Sequence, residues 1–398
     1  MPLSFTQARE TVLRTVPQGR PDVEETPLDQ AAGRVLAGEI VADRDYPPFP
    51  RATRDGFAVR AADVARVPTE LQVIGEVRAG STFDGRVEKG QCVSIMTGAP
   101  VPDGADAVVM LEHTKGSVTI ERSVEAGENV VPQGSEATAG APVLAAGCRL
   151  GYPETAMLAS VGRVRVPVYR RPRVAILPTG DEVVDLNRDP LAFQIRNSNS
   201  YALRAQVAAA GGEPWPLPIA PDELSRLREL IQQGLTADLL LLSGGVSMGK
   251  YDLVERVLAD LGAEIFFDGV AIQPGRPLVF GRAAGRFFFG LPGNPLSTMV
   301  CFELFARAAL ERLAGMTERP LLFLRARLLK TVRAKAGLTR FLPARLEGEP
   351  FDPTVKRVKS QGSGDMTSLV RANCYLVVPE DRPELAAGES VGVLLRGQ

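Results

Sequence analysis

Residues 173 to 297 hold four short segments whose residue types could bind a phosphorylated ligand and act on it. They are Leu177-Pro178-Thr179-Gly180-Asp181-Glu182, Ser243-Gly244-Gly245-Val246-Ser247-Met248-Gly249, Gln273-Pro274-Gly275-Arg276-Pro277 and Leu291-Pro292-Gly293-Asn294-Pro295. Each follows an apolar run with the character of a buried strand. Open α/β sheets bind ligands at the carboxyl ends of parallel strands, and glycine lets backbone N–H groups come close to a phosphate. The expected ligand is a phosphorylated small molecule.

The first segment offers a hydroxyl, a flexible glycine and two carboxylates. Beside a phosphate loop these acids suit Mg²⁺, which takes one or two protein carboxylates and completes its shell with phosphate oxygens; the alternative is a solvated polar turn. The second has three glycines between a strand and a helix, and the N-terminus of that helix favours an anion. Its spacing fits neither Gly-x-Gly-x-x-Gly nor Gly-x-x-x-x-Gly-Lys-Ser/Thr, which excludes a Rossmann dinucleotide or P-loop reading. Asp252, in the first turn of the helix, is either a dipole-complementing surface acid or a group that binds a metal or polar heterocycle. In the third segment Arg276 stands between two prolines, a stiff mount that would aim its guanidinium at an oxyanion. The fourth brings Asn294 and Ser297 to the start of the last helix.

Composition removes several other chemistries. A single histidine, His113, excludes multi-histidine metal sites, and because it reads as an ordinary residue at a strand end, a Ser-His-Asp triad is not expected either. Lysine plus arginine (46) nearly balance aspartate plus glutamate (47), so no global field would hold nucleic acid or an anionic membrane. The four cysteines are scattered without a Cys-x-x-Cys pair, which fits a reducing compartment. With no leader-like or long apolar stretch, the expected location is cytoplasmic, with no membrane partner.

The elements that must position these residues follow from hydrophobic period. Between 173 and 315, strand and helix patterns alternate with short connections, as in a doubly wound parallel sheet. Strands are expected at Arg173 to Leu177, ending near Ala220, at Asp238 to Leu242, at Glu264 to Val270 and at Arg286 to Gly290. Helices are expected at Asn197 to Ala210, after Asp222 as N-cap, through Leu253 to Leu261, and at Leu296 to Ala314. From Pro320 the pattern becomes short strands without a convincing helix, a small all-β barrel or sandwich. This segment is rich in base, including Arg325, Arg327, Lys330, Arg333, Lys335, Arg340, Arg345, Arg357 and Lys359. Those residues form either a solvated face or a positive wall toward the phosphate loops. The first 170 residues suggest a helix from Ser4 to Thr15, another near Leu28 to Leu36, and strand and turn signals from the proline-broken Tyr46-Pro47-Pro48-Phe49-Pro50 onward.

The expected fold class is α/β plus β and multidomain, with a doubly wound, mostly parallel α/β sheet domain, an inserted β-rich module and a C-terminal small β-barrel. The expected boundaries are 1–43 with 142–168 for an N-terminal helical and linker domain, 44–141 for the insert, 169–318 for the α/β domain and 319–398 for the barrel.

The loops, in this order, resemble those of the molybdopterin molybdenumtransferases, the MoeA family that includes the C-terminal domain of gephyrin. The likeness extends to Gly33-Arg34-Val35-Leu36-Ala37, Asp45-Tyr46-Pro47-Pro48-Phe49, Asp55-Gly56-Phe57-Ala58-Val59-Arg60, Met96-Thr97-Gly98-Ala99-Pro100 and Gly104-Ala105-Asp106-Ala107-Val108-Val109. It implies a homodimer whose active cleft combines the α/β and barrel domains of one subunit with the insert of the other. It also implies a reaction, in which molybdate enters the dithiolene of adenylylated molybdopterin with a divalent cation, Mg²⁺, and AMP is released. Molybdopterin adenylyltransferase would be the pathway partner. By resemblance, Asp181, Glu182 and Asp252 would hold the metal or the pterin and phosphate end, with Asp55, Thr97, Glu182, Asp222 and Asp252 catalytic. Thr179, Gly180, Ser243, Gly244, Gly245, Ser247 and Gly249 would form the cradle. Gln273, Arg276, Pro277, Asn294, Ser297, Arg340 and Ser368 would contact molybdate and phosphate, while Asp55 and Thr97 would reach across the dimer.

Three departures stand out. Arg51-Ala52-Thr53-Arg54 precede Asp55 where the family reads Asn-Ser-Ala-Met. Asn129-Val130-Val131 and Gly134-Ser135-Glu136 replace Asn-Ile-Arg and Gly-Glu-Asp. Gln273 takes the first lysine of Lys-Pro-Gly-Lys-Pro, so one cation of the oxyanion site is lost; either Arg51 and Arg54 compensate from the partner subunit, or the substrate preference differs. The competing readings are a non-catalytic pterin-binding or gephyrin-like scaffold relative, favoured by Gln273, and an adenylyltransferase on the same pterin.

Overall fold

The computed structural model describes residues 2–116, 118–245 and 253–396. A six-stranded sheet lies at its centre, in the order Glu213–Pro216, Arg173–Pro178, Leu239–Ser243, Arg286–Leu291, Val279–Ala283, Glu264–Asp268. The first four strands are parallel. Arg173–Pro178 and Leu239–Ser243 are continuous apolar runs because both faces are covered. Side chains alternate between those faces: Val174, Ile176, Leu239 and Leu241 enter one core, and Ala175, Leu177, Leu240 and Leu242 the other.

Helices cover both faces. Helix α1 (Phe5–Thr15) begins with a capping box at Ser4 and Gln7 and buries Ala8 and Val12 in the first core. Helix α2 (Tyr152–Ser160) belongs to a separate small core with Leu36, Ile40, Val166 and Val168. Helix α3 (Ser198–Ala209) sends Leu203 and Val207 into the first core, while α4 (Leu224–Gly234) and α5 (Leu253–Asp260) cover the second. The last helix runs as α6 (Pro295–Cys301), a π-helical segment (Phe302–Ala306) and α7 (Arg307–Leu313).

Several sequence expectations change. Only Val279–Ala283 runs against the rest of the sheet; Glu264–Asp268, antiparallel to it, has the sense of the four parallel strands, so the segment holding Gln273 to Pro277 follows its carboxyl end and leads into the amino end of Val279–Ala283. That segment reaches the same edge of the sheet, because Val279 pairs with Gly290. The expected Leu28 to Leu36 helix is one 3-10 turn, Leu28–Gln30, cut short where Gly33 takes φ 78°. The strand expected to end near Ala220 stops at Pro216, and Ala220 forms only an isolated bridge to Thr179. Glu223, not Asp222, is the N-cap residue of α4, and it makes no side-chain cap bond.

Strands Phe323–Leu328, Thr339–Glu349, Asp352–Arg357, Cys374–Val378 and Ser390–Leu395 close into a five-stranded barrel, because Thr339–Glu349 pairs with both Asp352–Arg357 and Cys374–Val378. This segment does contain a short helix, α8 (Met366–Arg371), started by the Asp365 side chain accepting from Ser368 N–H. Ile272–Gln273 pairs in parallel with Thr339–Arg340 and so joins the barrel to the third loop. Residues 44–141 contain a four-stranded sheet, Gln72–Val77, Gln91–Ile95, Gly56–Val59 and Ala107–Met110, with an apolar core on each face. No helix among the described residues is long and apolar enough to cross a membrane.

Candidate active site

The ends of three parallel strands set the floor of the site, with Pro178 level with Ser243 and Ser243 level with Leu291. The loops leaving them are tied together by their backbones. Thr179 N–H donates to Ser243 C=O at 3.0 Å, Gly180 N–H to Ala220 C=O at 3.1 Å and Gly244 N–H to Leu291 C=O at 3.2 Å. Asn199, in the first turn of α3, donates through Nδ2 to both Ser243 Oγ at 2.9 Å and Gly293 C=O at 2.8 Å. The sequence pattern marks this stretch as a helix start only; the polar run Asn197-Ser198-Asn199-Ser200 is its one signal of a further role.

Glycine is required where these loops meet. Gly244 and Gly245 have φ of 96° and 61°. A Cβ on Gly244 would lie 2.8 Å from the Thr179 carbonyl oxygen, and one on Gly245 would lie 2.7 Å from Thr179 Oγ1. The result is a cleft of about 360 Å³, lined by Thr179, Glu182, Asn199, Gly244, Gly245 and Asn294 among others. Thr179 Oγ1 and Asn199 Oδ1 are buried there without a hydrogen-bond partner among the described residues, and such atoms are uncommon enough to mark a place where structure serves something besides stability.

Of the predicted acids among the described residues, only Glu182 lines this cleft; Asp181 and Asp222 lie outside its lining, where Asp222 N–H donates to Asp181 Oδ1 at 3.1 Å. Partial burial, then the charges of Asp181 and Glu182, push the Asp222 carboxyl above the ordinary range. Among the described residues no three acid, cysteine or histidine side chains converge closely enough to hold an ion by themselves. The donor set nevertheless has the right chemistry for Mg²⁺, which needs only one or two protein carboxylates beside phosphate oxygens and water. Ser247, Gly249 and Asp252 lie outside the described residues.

A second cleft of about 750 Å³ adjoins the first through Pro277, Pro292 and Asn294. Gln273, Arg276, Ser297, Lys335, Arg340 and Arg357 face it. Arg340 is 8% exposed. Its Nε donates to Gln273 Oε1 at 2.8 Å and its Nη1 to Leu338 C=O at 3.2 Å. No carboxylate pairs with it among the described residues, and burial pushes its guanidinium below the usual arginine range. A cation fixed this way in a cleft favours an anionic ligand, since an uncompensated buried charge is costly.

The basic barrel residues divide. Lys335, Arg340 and Arg357 face the cleft. Arg327 and Arg345 pair instead with Asp352 and Glu347, and Arg333, although at the cleft rim, pairs with Glu384 at 2.8 Å. Ser368 is not beside Arg340. It is buried, donates to Asp365 C=O at 2.8 Å, and lines an adjoining pocket with Arg357, Lys359 and Arg371.

Asp55 and Thr97 come together in the insert, where Thr97 N–H donates to Asp55 Oδ1 at 2.6 Å. That backbone bond first, and then the Thr97 hydroxyl, hold the Asp55 carboxyl below the ordinary range. Neither residue lines either cleft of its own chain. Arg51, a candidate to compensate for a missing cation, is paired with Glu136 at 2.7 Å. Arg54 has no ion pair among the described residues.

Three family regions match the chain in order: "MoeA N-terminal region (domain I and II)" at residues 3–162, "Probable molybdopterin binding domain" at 175–312 and "MoeA C-terminal region (domain IV)" at 325–395. The molybdopterin molybdenumtransferase of Bacillus subtilis (strain 168) is 34% identical over 408 residues, covering 99% of this chain and 94% of that protein. The protein of the same name from Nostoc sp. is 35% identical over 387 residues, covering 94% of this chain and 88% of that protein. Among solved structures, the molybdopterin biosynthesis MoeA protein of Pyrococcus horikoshii OT3 superposes with a TM-score of 0.82 at 31% identity, covering 99% of this chain and all of that one.

Proposed function

This chain belongs to the MoeA family of molybdopterin molybdenumtransferases, and from that premise we propose that its two joined clefts carry out molybdenum insertion. It is a transferase of molybdenum cofactor biosynthesis. The observation that carries the reading is the junction itself: a glycine-walled cleft at parallel strand ends opens onto a cleft holding an uncompensated Arg340.

The first cleft suits adenylylated molybdopterin. Its backbone at Gly244 and Gly245 is bare of side chains, and Asn199 keeps the second and fourth loops in fixed relation. The second suits molybdate, a tetrahedral dianion, with Arg340 and Arg276 as charge partners and the Ser297 hydroxyl beside them. Asn294, common to both clefts, would lie where oxyanion and pterin meet. Asp181, Glu182 and Asp222 would hold Mg²⁺ against the ligand's phosphates, with Asp252 as a further ligand by resemblance. When bound, that ion would neutralise charge on the pyrophosphate and ease departure of AMP.

The working form would be a homodimer in the cytoplasm, with Asp55 and Thr97 of one subunit completing the cleft of the other. A molybdopterin adenylyltransferase would supply the substrate. The hydrogen-bonded pairing of Asp55 and Thr97, away from the clefts of their own chain, supports this arrangement.

The test is to incubate the purified protein with adenylylated molybdopterin, Mg²⁺ and molybdate and to follow AMP. Release that depends on molybdate is expected; release independent of molybdate, or none, removes the insertion reading.

A further inference from the structure

A second cluster of arginines lies at the other end of the π-bulged helix. Arg9 of α1, Arg149 and Arg319 line a pocket of about 270 Å³ beside Arg307, Glu303 and Glu311. The acids nearby already have partners. Glu303 and Glu311 both engage Arg307, the latter at 2.8 Å, and Glu318 engages Arg312 at 3.3 Å. Arg9, Arg149 and Arg319 are left with no carboxylate in salt-bridge range among the described residues.

Two of these three are held by backbone carbonyls. Arg9 Nη1 donates to Leu304 C=O at 2.6 Å, within the π-helical segment, and Arg149 Nη2 donates to Ala209 C=O at 2.6 Å, at the end of α3. Burial pushes both guanidinium groups below the usual arginine range, outweighing the opposing charges of Glu311 and, at Arg9, Glu318. Carbonyls satisfy hydrogen bonds but do not neutralise charge. Glu303 and Glu311 on the pocket wall share Arg307, so four arginines outnumber two carboxylates there, and with Arg9 and Arg149 partly desolvated the excess positive charge is costly unless an anion joins it.

The geometry points to a phosphate-binding pocket formed by Arg9, Arg149 and Arg319, separate from the insertion cleft. Phosphate is favoured over carboxylate because the cations approach from three different elements. That arrangement matches oxygens pointing in several directions, whereas a planar carboxylate is best met by a single guanidinium fork. A phosphate's charge of about −1.5 to −2 also suits this excess of positive charge. Leu321, Leu322 and Leu394 on the same wall leave room for the apolar part of a small phosphate ester.

The test uses the full-length Arg340→Gln protein, so that the insertion cleft does not dominate anion binding. Inorganic phosphate is titrated by calorimetry at constant ionic strength, with acetate in a parallel arm. Saturable phosphate binding is expected, weakened about tenfold or more by adding Arg149→Gln or Arg319→Gln. Arg319→Gln is the safer variant, because Arg319 is exposed and makes no hydrogen bond among the described residues. A crystal soaked in phosphate should show the ion between the three arginines. The proposal is overturned by absence of phosphate binding in the Arg340→Gln protein, by binding undiminished in both double variants, or by acetate binding as tightly. A carboxylate of a second copy seated in the pocket in solution would overturn it too.

Discussion

Gln273 Oε1 accepts a hydrogen bond from Arg340 Nε at 2.8 Å, and the backbones of the two residues pair in parallel register. Where a lysine was expected there is a neutral acceptor that positions the neighbouring cation. The cleft therefore loses one charge and gains a fixed guanidinium, with Arg276 and Lys335 still facing it.

Gln273→Ala should raise KM for molybdate about tenfold while leaving kcat within about twofold, because it releases Arg340 without removing it. Arg340→Gln should lower kcat/KM by about a hundredfold or more. Steady-state AMP release at varied molybdate gives both numbers; equal KM values for wild type and Gln273→Ala would show that the Arg340 hydrogen bond does not position it.

Asp222→Asn should increase the Mg²⁺ concentration needed for half-maximal AMP release by about tenfold, since a donor of the acidic set is removed. The same change relieves repulsion with Asp181 and Glu182, so without Mg²⁺ the variant's Tm should match or slightly exceed that of the wild type. An unchanged Mg²⁺ requirement would take Asp222 out of the ion site.

Asp238 provides a pH-dependent clasp at the opposite end of the sheet. Burial opposes its ionisation, but bonds from Arg170 Nη1 at 2.8 Å and Arg173 N–H at 2.8 Å, with the Arg170 and Arg286 charges, outweigh it and hold the carboxyl below the ordinary range. A depressed acid stabilises the fold above its unfolded pKa of about 3.9, and that contribution is lost as pH falls through the folded value. Asp238→Asn should cost about 1–3 kcal/mol at pH 7. In urea titrations the gap between variant and wild type should narrow toward pH 3; a gap independent of pH would assign the loss to packing.

The composite cleft predicts complementation. Asp55→Ala and Arg340→Gln proteins should each be nearly inactive, but subunit exchange should restore about a quarter of wild-type activity, because about half the dimers are mixed and each has one intact site. No recovery, with mixed dimers verified by mass, would confine every functional residue to one subunit.

Much of the architecture was legible in local pattern. The buried runs at Arg173–Pro178 and Leu239–Ser243, and the turn chemistry after them, identified the parallel strands and the loops at their ends, because burial on both faces leaves an unbroken apolar run. The Val279–Ala283 strand carries similar apolar character but runs antiparallel to both its neighbours, since composition reports burial and not direction. The Leu28 to Leu36 segment misled for the opposite reason: its helical spacing is overridden by Gly33 and by pairing of Leu36 N–H with Cys148 C=O at 2.9 Å.

By itself, then, the sequence determined the order of the modules, the glycine loops and the chemistry available without histidine. Tertiary structure alone decided that Gln273 would meet Arg340, that Arg51 would be spent on Glu136, that Asn199 would tie two loops together and that Ser368 would be buried in the first turn of α8, bonded to Asp365, away from Arg340. The physical reason is range. Side-chain periodicity and turn preference act over a few residues, whereas charge pairing is settled only when folding brings distant segments within hydrogen-bond reach, where the better-placed partner wins.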